Sequence, residues 1–295
     1  MKKIRSHPAL FLALVFAVPV GAQHPWQVPV QRDPEAVRRI VGEAGRREPG
    51  RDLRIVWVWD VDKGHAPGFH EHVKVRDLFA GLLSRVPRVT VDPAHRFPSP
   101  EQWAGADLVV LYLQMQAMTP GQFELMDRYL ARGGGLVAIH SAFIQGPVGP
   151  QVAERFGLAW DRGKTRWGVL PIPSKVLEPR AHGILAGFPR DLLLVDEHYW
   201  NLGGMRDQLT VLASSQAGPE KASKGPPGSA ELDGRDWPLF WTKEMGKGRV
   251  FGSIPGHNFF TFKDPYYRII LLRAMAWTMR VSFDPFKPLV PVAAP

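Results

Sequence analysis

Gly133-Gly134-Gly135-Leu136-Val137-Ala138-Ile139-His140-Ser141-Ala142 passes from a helix stop into a buried strand and ends on two polar residues. The glycines close the helical pattern TPGQFELMDRYLAR (residues 119–132), which Thr119 and Pro120 open as N-cap and first-turn proline. Leu136 to His140 shows no polar alternation, the mark of a strand covered on both faces. The same signature recurs upstream in DLVVLYL (107–113) and RIVWVWD (54–60). Between those two lie helical spacing over Val73–Val86 and a short strand at Val89–Val91. Strands alternating with helices predict an α/β fold: a doubly wound, mostly parallel sheet flanked by helices on both sides.

The second half reads as strand-rich. Strands are expected at Arg166–Ile172, Leu192–Val195, Leu209–Ala213, Leu239–Glu244 and Arg249–Ile254. The last two flank Met245-Gly246-Lys247-Gly248, a hairpin turn. Pro265 opens a closing helix through Met279, and residues 216–236 have the Gly, Pro, Ser and charge content of a surface loop. Residues 23–50 form a polar lead-in with one helix from Asp33-Pro34, and the Pro-rich tail, residues 282–295, is expected to fray. No internal repeat is visible.

Composition narrows the chemistry. The chain has 295 residues, 45% of them hydrophobic, enough for a large core. It has no cysteine, which removes disulfides, thiolate metal sites and thiol nucleophiles. The formal charge of +9 invites a nucleic-acid reading, but part of it sits in residues 1–22. There, Lys2, Lys3 and Arg5 precede an apolar run from Pro8 to Val20 and the small residues Gly21 and Ala22. That is the layout of an export signal, cleaved near Ala22, and the run falls short of the ~20 residues of a membrane span. Its removal takes away three positive charges and leaves +6, scattered among acids. The expectation is a periplasmic or secreted protein with no nucleic-acid partner and no membrane span after cleavage.

In an open parallel sheet, ligands bind beyond the carboxyl ends of the strands. Four such places carry six of the ten histidines: His65, His70 and His72 after RIVWVWD, His140 after LVAI, His198 after LLLV, and His257 after RVFGSIP. Glu197 accompanies His198, and Asn258 follows His257. Neutral imidazoles with a carboxylate suit a divalent cation, Zn or Mn, or alternatively general acid–base work. Each histidine alone could merely cap a loop; clustering in four places is what favours a site. Within the set, His72 is expected to face solvent; His95, outside it, is expected to be structural. Tryptophans 57, 59, 167, 200, 237, 241 and 277 are assigned to the core, save that Trp200 beside Glu197 offers a sugar-stacking surface. Ser141 stands where hydrolases place a nucleophile elbow, though no G-x-S-x-G is present.

These residues resemble a known pattern. Residues 133–142 are similar to the GGGxVxxHSA stretch of the ThuA-like (trehalose utilisation) family. WTKEMGKGRV (241–250), Gly256-His257-Asn258 and TFKDP (261–265) resemble that family's closing segment. His182-Gly183-Ile184 and Asp196-Glu197-His198-Tyr199 resemble its H-P-I and D-E-x-Y elements, and His65–His72 its first histidine loop. The resemblance spans residues 54–280 and places the domain at 51–281; Gly183 and Ala66 depart from the pattern at loop positions. It implies a class I glutamine amidotransferase-like fold and a link to sugar metabolism, including keto-sugar intermediates. Relatives of that fold carry a cysteine at the elbow; here the elbow reads His140-Ser141, so glutaminase chemistry cannot operate.

The expected activity is carbohydrate processing on a di- or oligosaccharide or a keto-glycoside, by hydrolysis or elimination. Glu197 and His140 are the expected catalytic pair, and His65, His70, His140 and His257 the metal ligands. Tyr199, Trp200, Asn258 and Ser141 are expected at the substrate; no nucleotide cofactor is expected. A non-catalytic sugar-binding module using the same cleft is the alternative, and a serine esterase centred on Ser141 the last.

Overall fold

The computed structural model describes residues 29–43, 45–114, 117–177, 182–216 and 236–292. Residues 1–28, which include the stretch read as an export signal, and most of the 216–236 segment lie outside the described residues. α1 (Pro34–Val41) starts where expected: the Asp33 carboxylate accepts from the Glu35 and Ala36 amides, and Pro34 occupies the first turn. The alternation then follows as β1 (Leu53–Trp59), α2 (His72–Leu83), β2 (Val89–His95), α3 (Pro100–Gly105), β3 (Leu108–Leu111), α4 (Pro120–Ala131) and β4 (Gly135–Ile139). Capping boxes at Ser99/Gln102 and Thr119/Gln122 fix the starts of α3 and α4.

The second half comprises α5 (Gly149–Phe156), β5 (Leu158–Ala159), β6 (Arg166–Val176), β7 (Asp191–Trp200), β8 (Gly203–Gly204), β9 (Thr210–Ser215), β10 (Trp237–Met245), β11 (Gly248–Ser253) and α6 (Pro265–Thr278). Nine strands form one sheet in the order β2-β1-β3-β4-β11-β10-β9-β6-β7, while β5 and β8 pair separately. From β2 to β11 neighbours run parallel; from β11 to β7 they run antiparallel. β10 and β11 join through the expected turn, with Met245 opposite Gly248. At the centre, Trp241 lies on Gly252, where an added Cβ would come within 2.2 Å of the ring, so only glycine permits this packing.

The antiparallel half decides where the site forms. In a flat sheet, five inter-strand steps of ~4.8 Å would put β7 about 24 Å from β4. Yet the Glu197 carboxylate on β7 lies 3.2 Å from the His140 ring that follows β4. The sheet therefore curls. β6 pairs with β9 only over Ser174–Val176, but with β7 along ten residues. The β6–β7 ribbon is thus free to swing its Arg166–Trp200 end over the carboxyl ends of the parallel strands.

Two expectations are corrected here. Over its described residues the tail does not fray: residues 284–289 form a 3-10 turn that buries Phe286 and Leu289, and Lys287 Nζ donates to the Glu43 carbonyl at 2.6 Å. The strand expected at Leu192–Val195 runs on to Trp200, so Asp196, Glu197, His198 and Tyr199 lie within β7 rather than after it. Among the described residues, no helix is long and apolar enough to cross a membrane.

Candidate functional site

His140 is the first residue past β4, with φ +51, in the left-handed region that a side chain enters only under constraint. The constraint is visible. Its Nδ1 donates to the Ile254 carbonyl at 2.7 Å, just past the neighbouring strand β11. That bond leaves Nε2 as the open nitrogen, with His70 Nε2 at 3.2 Å, the Tyr199 hydroxyl at 2.9 Å and Glu197 Oε2 at 3.2 Å. Gly256 (φ +147) passes so close that an added Cβ would meet Ile139 at 2.6 Å.

The turn after β11 is held one carbonyl at a time. Ile254 O accepts from His140, Pro255 O from Tyr267 and Ser253, Gly256 O from Tyr112, and His257 O from the His70 amide. A bridge between Phe69 and Asn258 ties the loop before α2 to the same turn. His70 also sits at positive φ, +45. Asp196, on the opposite face of β7 from Glu197, accepts from the His257 amide at 2.8 Å and the Glu197 amide at 2.7 Å. It therefore positions two of the converging residues. Its motif was legible in the sequence; its orienting role was not.

His70, His140, His257 and Glu197 are all buried, and their donor atoms lie within 4.8 Å of one another. A tetrahedral ion with bonds of about 2.0–2.2 Å separates its donors by roughly 3.3–3.6 Å. Three of the six donor pairs, His140–His70, His140–Glu197 and His257–Glu197, lie at 3.2, 3.2 and 3.5 Å, close to that spacing, and all six lie within 4.8 Å. His257 Nδ1, 3.5 Å from Glu197 Oε2, is buried without a hydrogen-bond partner, the kind of orphaned lone pair an ion could satisfy; His70 meets the cluster through its Nε2. The Nδ1 bond of His140 to a backbone carbonyl is the usual outer support of a metal-binding imidazole.

Electrostatics favour the ligand forms. Burial, and the charges of His140, His257 and His65, push His70 far below the usual imidazole range. Burial lowers His257 to about 4 against the pull of Glu197. Burial would raise Glu197, but hydrogen bonding to His140 and the charge of His257 hold it below its ordinary value, so it stays anionic. Burial raises the Tyr199 phenol well above its usual range and keeps it a neutral donor.

The remaining candidates separate. His65 stands at the rim, Nδ1 3.1 Å from both Asp62 oxygens, its ring stacked on His70 at 3.8 Å. Near-parallel rings aim their lone pairs along separate planes, so His65 belongs with Asp62 rather than with the four-donor cluster. His72 does not face solvent: it is buried, with Nε2 3.3 Å from Ser141 Oγ. Ser141 is fully buried and donates to the Leu113 carbonyl at 3.1 Å, supporting the elbow from behind. Asn258, also buried, reaches toward the Val195 carbonyl instead of the cleft. Trp200 is in the core, because strand alternation turns Glu197 and Tyr199 to the cleft and Asp196, His198 and Trp200 away from it.

The cleft above the cluster encloses about 470 Å³, and its aromatic wall comes from Trp160, Trp167, Tyr199 and Phe69. Trp167 is the cross-strand partner of Tyr199, and Trp160 meets Tyr199 edge-on at 5.2 Å. Sequence reasoning assigned Trp167 to the core and passed over Trp160. The available signal was the β6 register, which places Trp167 opposite a site residue.

The α/β sheet flanked by helices, with a strained residue at the elbow after β4, is consistent with the glutamine amidotransferase-like fold, here with histidine at the elbow. The family model for ThuA, trehalose utilisation, matches residues 56–278, and the chain belongs to that family. Among solved structures it is similar to a ThuA-like protein from Bacteroides uniformis ATCC 8492, at 16% identity and TM-score 0.59 over 80% of this chain and 95% of that one. A second, from Parabacteroides merdae ATCC 43184, gives 18% and 0.58 over 78% and 90%. At these identities the likeness is one of fold. No curated protein matches the chain.

Proposed function

We propose that this protein is an exported carbohydrate-processing enzyme that hydrolyses, or eliminates across, a glycosidic bond of a di- or oligosaccharide or keto-glycoside. In this reading His70, His140, His257 and Glu197 hold one divalent cation, Zn or Mn. The observation that carries it is the convergence of three imidazoles and one carboxylate, at the spacing of a single ion's donors, beneath an aromatic wall. A bound cation would polarise a substrate oxygen or acidify a water. The chain's own groups supply the rest. Trp160 and Trp167 give flat apolar surfaces for the CH face of a sugar ring. The neutral Tyr199 hydroxyl can donate to a substrate oxygen, and Glu197 is placed to take a proton or to ligate.

The test is metal analysis of protein purified without chelator, together with sugar titrations of His140→Ala and His257→Ala. One ion per chain is expected, lost in both variants along with sugar affinity. No bound metal, with unchanged affinity in both variants, would sink the reading. The aromatic wall equally suits a sugar-binding module without chemistry; saturable sugar binding with no turnover of any glycoside selects that alternative.

A further inference from the structure

A second cavity of about 250 Å³ adjoins the first, with Gln114 in the wall of both. It lies where Asp60 leaves β1 and Leu113 and Gln114 follow β3. In the order β2-β1-β3-β4, that is where the chain's crossovers diverge to opposite sides, the crevice in which open α/β sheets bind ligands. Its polar groups are of both kinds. Asp60 accepts from the Val61 amide at 2.7 Å and from Arg96 Nε at 3.0 Å, and His95 Nε2 lies 3.0 Å away. The other guanidinium hydrogens of Arg96, and the Gln114 amide, have no partner among the described residues. Phe97 and Met118 supply apolar surface. The start of α4 also borders the cavity, but its capping box already occupies the Thr119 and Gln122 groups there.

We infer that this cavity is a second sugar subsite, so that the substrate spans at least two sugar units, one over the His/Glu cluster and one beside Asp60, Arg96 and Gln114. The inference rests on the carbohydrate reading of the main cleft and deepens it. An ion-paired carboxylate and guanidinium, with an unpaired amide, present donors and acceptors without net charge. That pattern matches the hydroxyls of a neutral sugar, whereas the Asp60 carboxylate disfavours a phosphate or carboxylate ligand. An apolar floor beneath a polar rim is also the usual build of a small-ligand pocket.

Calorimetric titration of the intact protein, supplied with Zn, tests it using glucose and its disaccharides trehalose, maltose and cellobiose. At least one disaccharide should bind ten-fold or more tightly than glucose. Arg96→Gln and Asp60→Asn should each remove most of that advantage while moving glucose affinity less than two-fold. Arg96 is largely exposed, so its replacement should leave the melting temperature unchanged and separate lost recognition from lost folding. Glucose binding with no disaccharide advantage, or an advantage that survives both substitutions, overturns the subsite and leaves the main-cleft reading standing. Binding of no sugar at all overturns both.

Discussion

Arg32 and Asp264 form an ion pair whose side chains are each only 7% exposed. Arg32 Nε lies 3.0 and 3.1 Å from the two carboxylate oxygens, Nη2 lies 2.6 Å from one of them, and Nη2 also donates to the Leu193 carbonyl at 2.7 Å. The guanidinium sits 4.4 Å from the Tyr266 ring centre. Asp264 in turn caps α6 through the Tyr266 amide at 2.8 Å. Replacing Arg32 by Met keeps most of the apolar stem and leaves a buried carboxylate without its counter-charge. Such breakage costs about 3–5 kcal/mol, far above the 0–1 kcal/mol of an exposed pair. At roughly 2–4 °C per kcal/mol for a domain of this size, the melting temperature should fall by about 10 °C. Asparagine caps as well as aspartate, so Arg32→Met with Asp264→Asn should recover about half of the loss. Urea unfolding at pH 7.5 of the wild type, both single variants and the double variant provides the cycle. A loss below 1 kcal/mol in Arg32→Met, or a double variant no more stable than that single, refutes the reasoning. Either result would mean that the segment before α1 is not anchored on α6 and the β7 edge as described.

Acidification should destabilise the protein through its buried histidines. Burial lowers His198 to about 3 and His72 to about 4, against 6.5 when exposed. Below pH 6.5 the unfolded chain binds protons that the folded chain refuses, so stability is complete above that pH and declines as pH falls toward 4. His70 and His257 are lowered as well, so at roughly 1.4 kcal/mol per group per pH unit the four together should make urea unfolding in chelator at pH 5.5 read about 6 kcal/mol below pH 7.5. His198→Leu should remove about a quarter of the difference; a flat profile counts against the assignment. In the cleft, Trp167→Ala should weaken sugar binding about ten-fold with little change in melting temperature. Trp200→Phe should do the reverse, and matching effects from both would contradict the division of the two faces of β7.

The fold was legible because its signals are local. Unbroken apolar runs such as LVAI mark strands covered on both faces; the glycines at 133–135 and the capped prolines at 34 and 120 mark helix limits. The histidines at 65–72, 140 and 257 were legible as a group because each place follows a strand of the parallel half, and those strands end on one side; His198, inside antiparallel β7, does not share that reason. The misreadings have a common cause. Trp200 and Tyr199 are neighbours in the chain and opposites in space, and the face each takes depends on where β7 begins and what covers it. His72 and Ser141 look like free polar groups until their mutual contact, buried under the elbow, is seen. Arg32 reads as lead-in until its partner, 232 residues away, is known.

The sequence by itself determined the alternating α/β scaffold, the missing cysteine nucleophile and the four places where histidines gather. Only the tertiary structure decided which of them meet. Their convergence depends on the curl that carries the β6–β7 ribbon over β4, and that curl follows from the short β6–β9 pairing and the cleft it leaves open. No local pattern encodes a distance that closes about 24 Å of flat sheet to 3.2 Å, because it is set by the packing of whole strands rather than by the residues at either end.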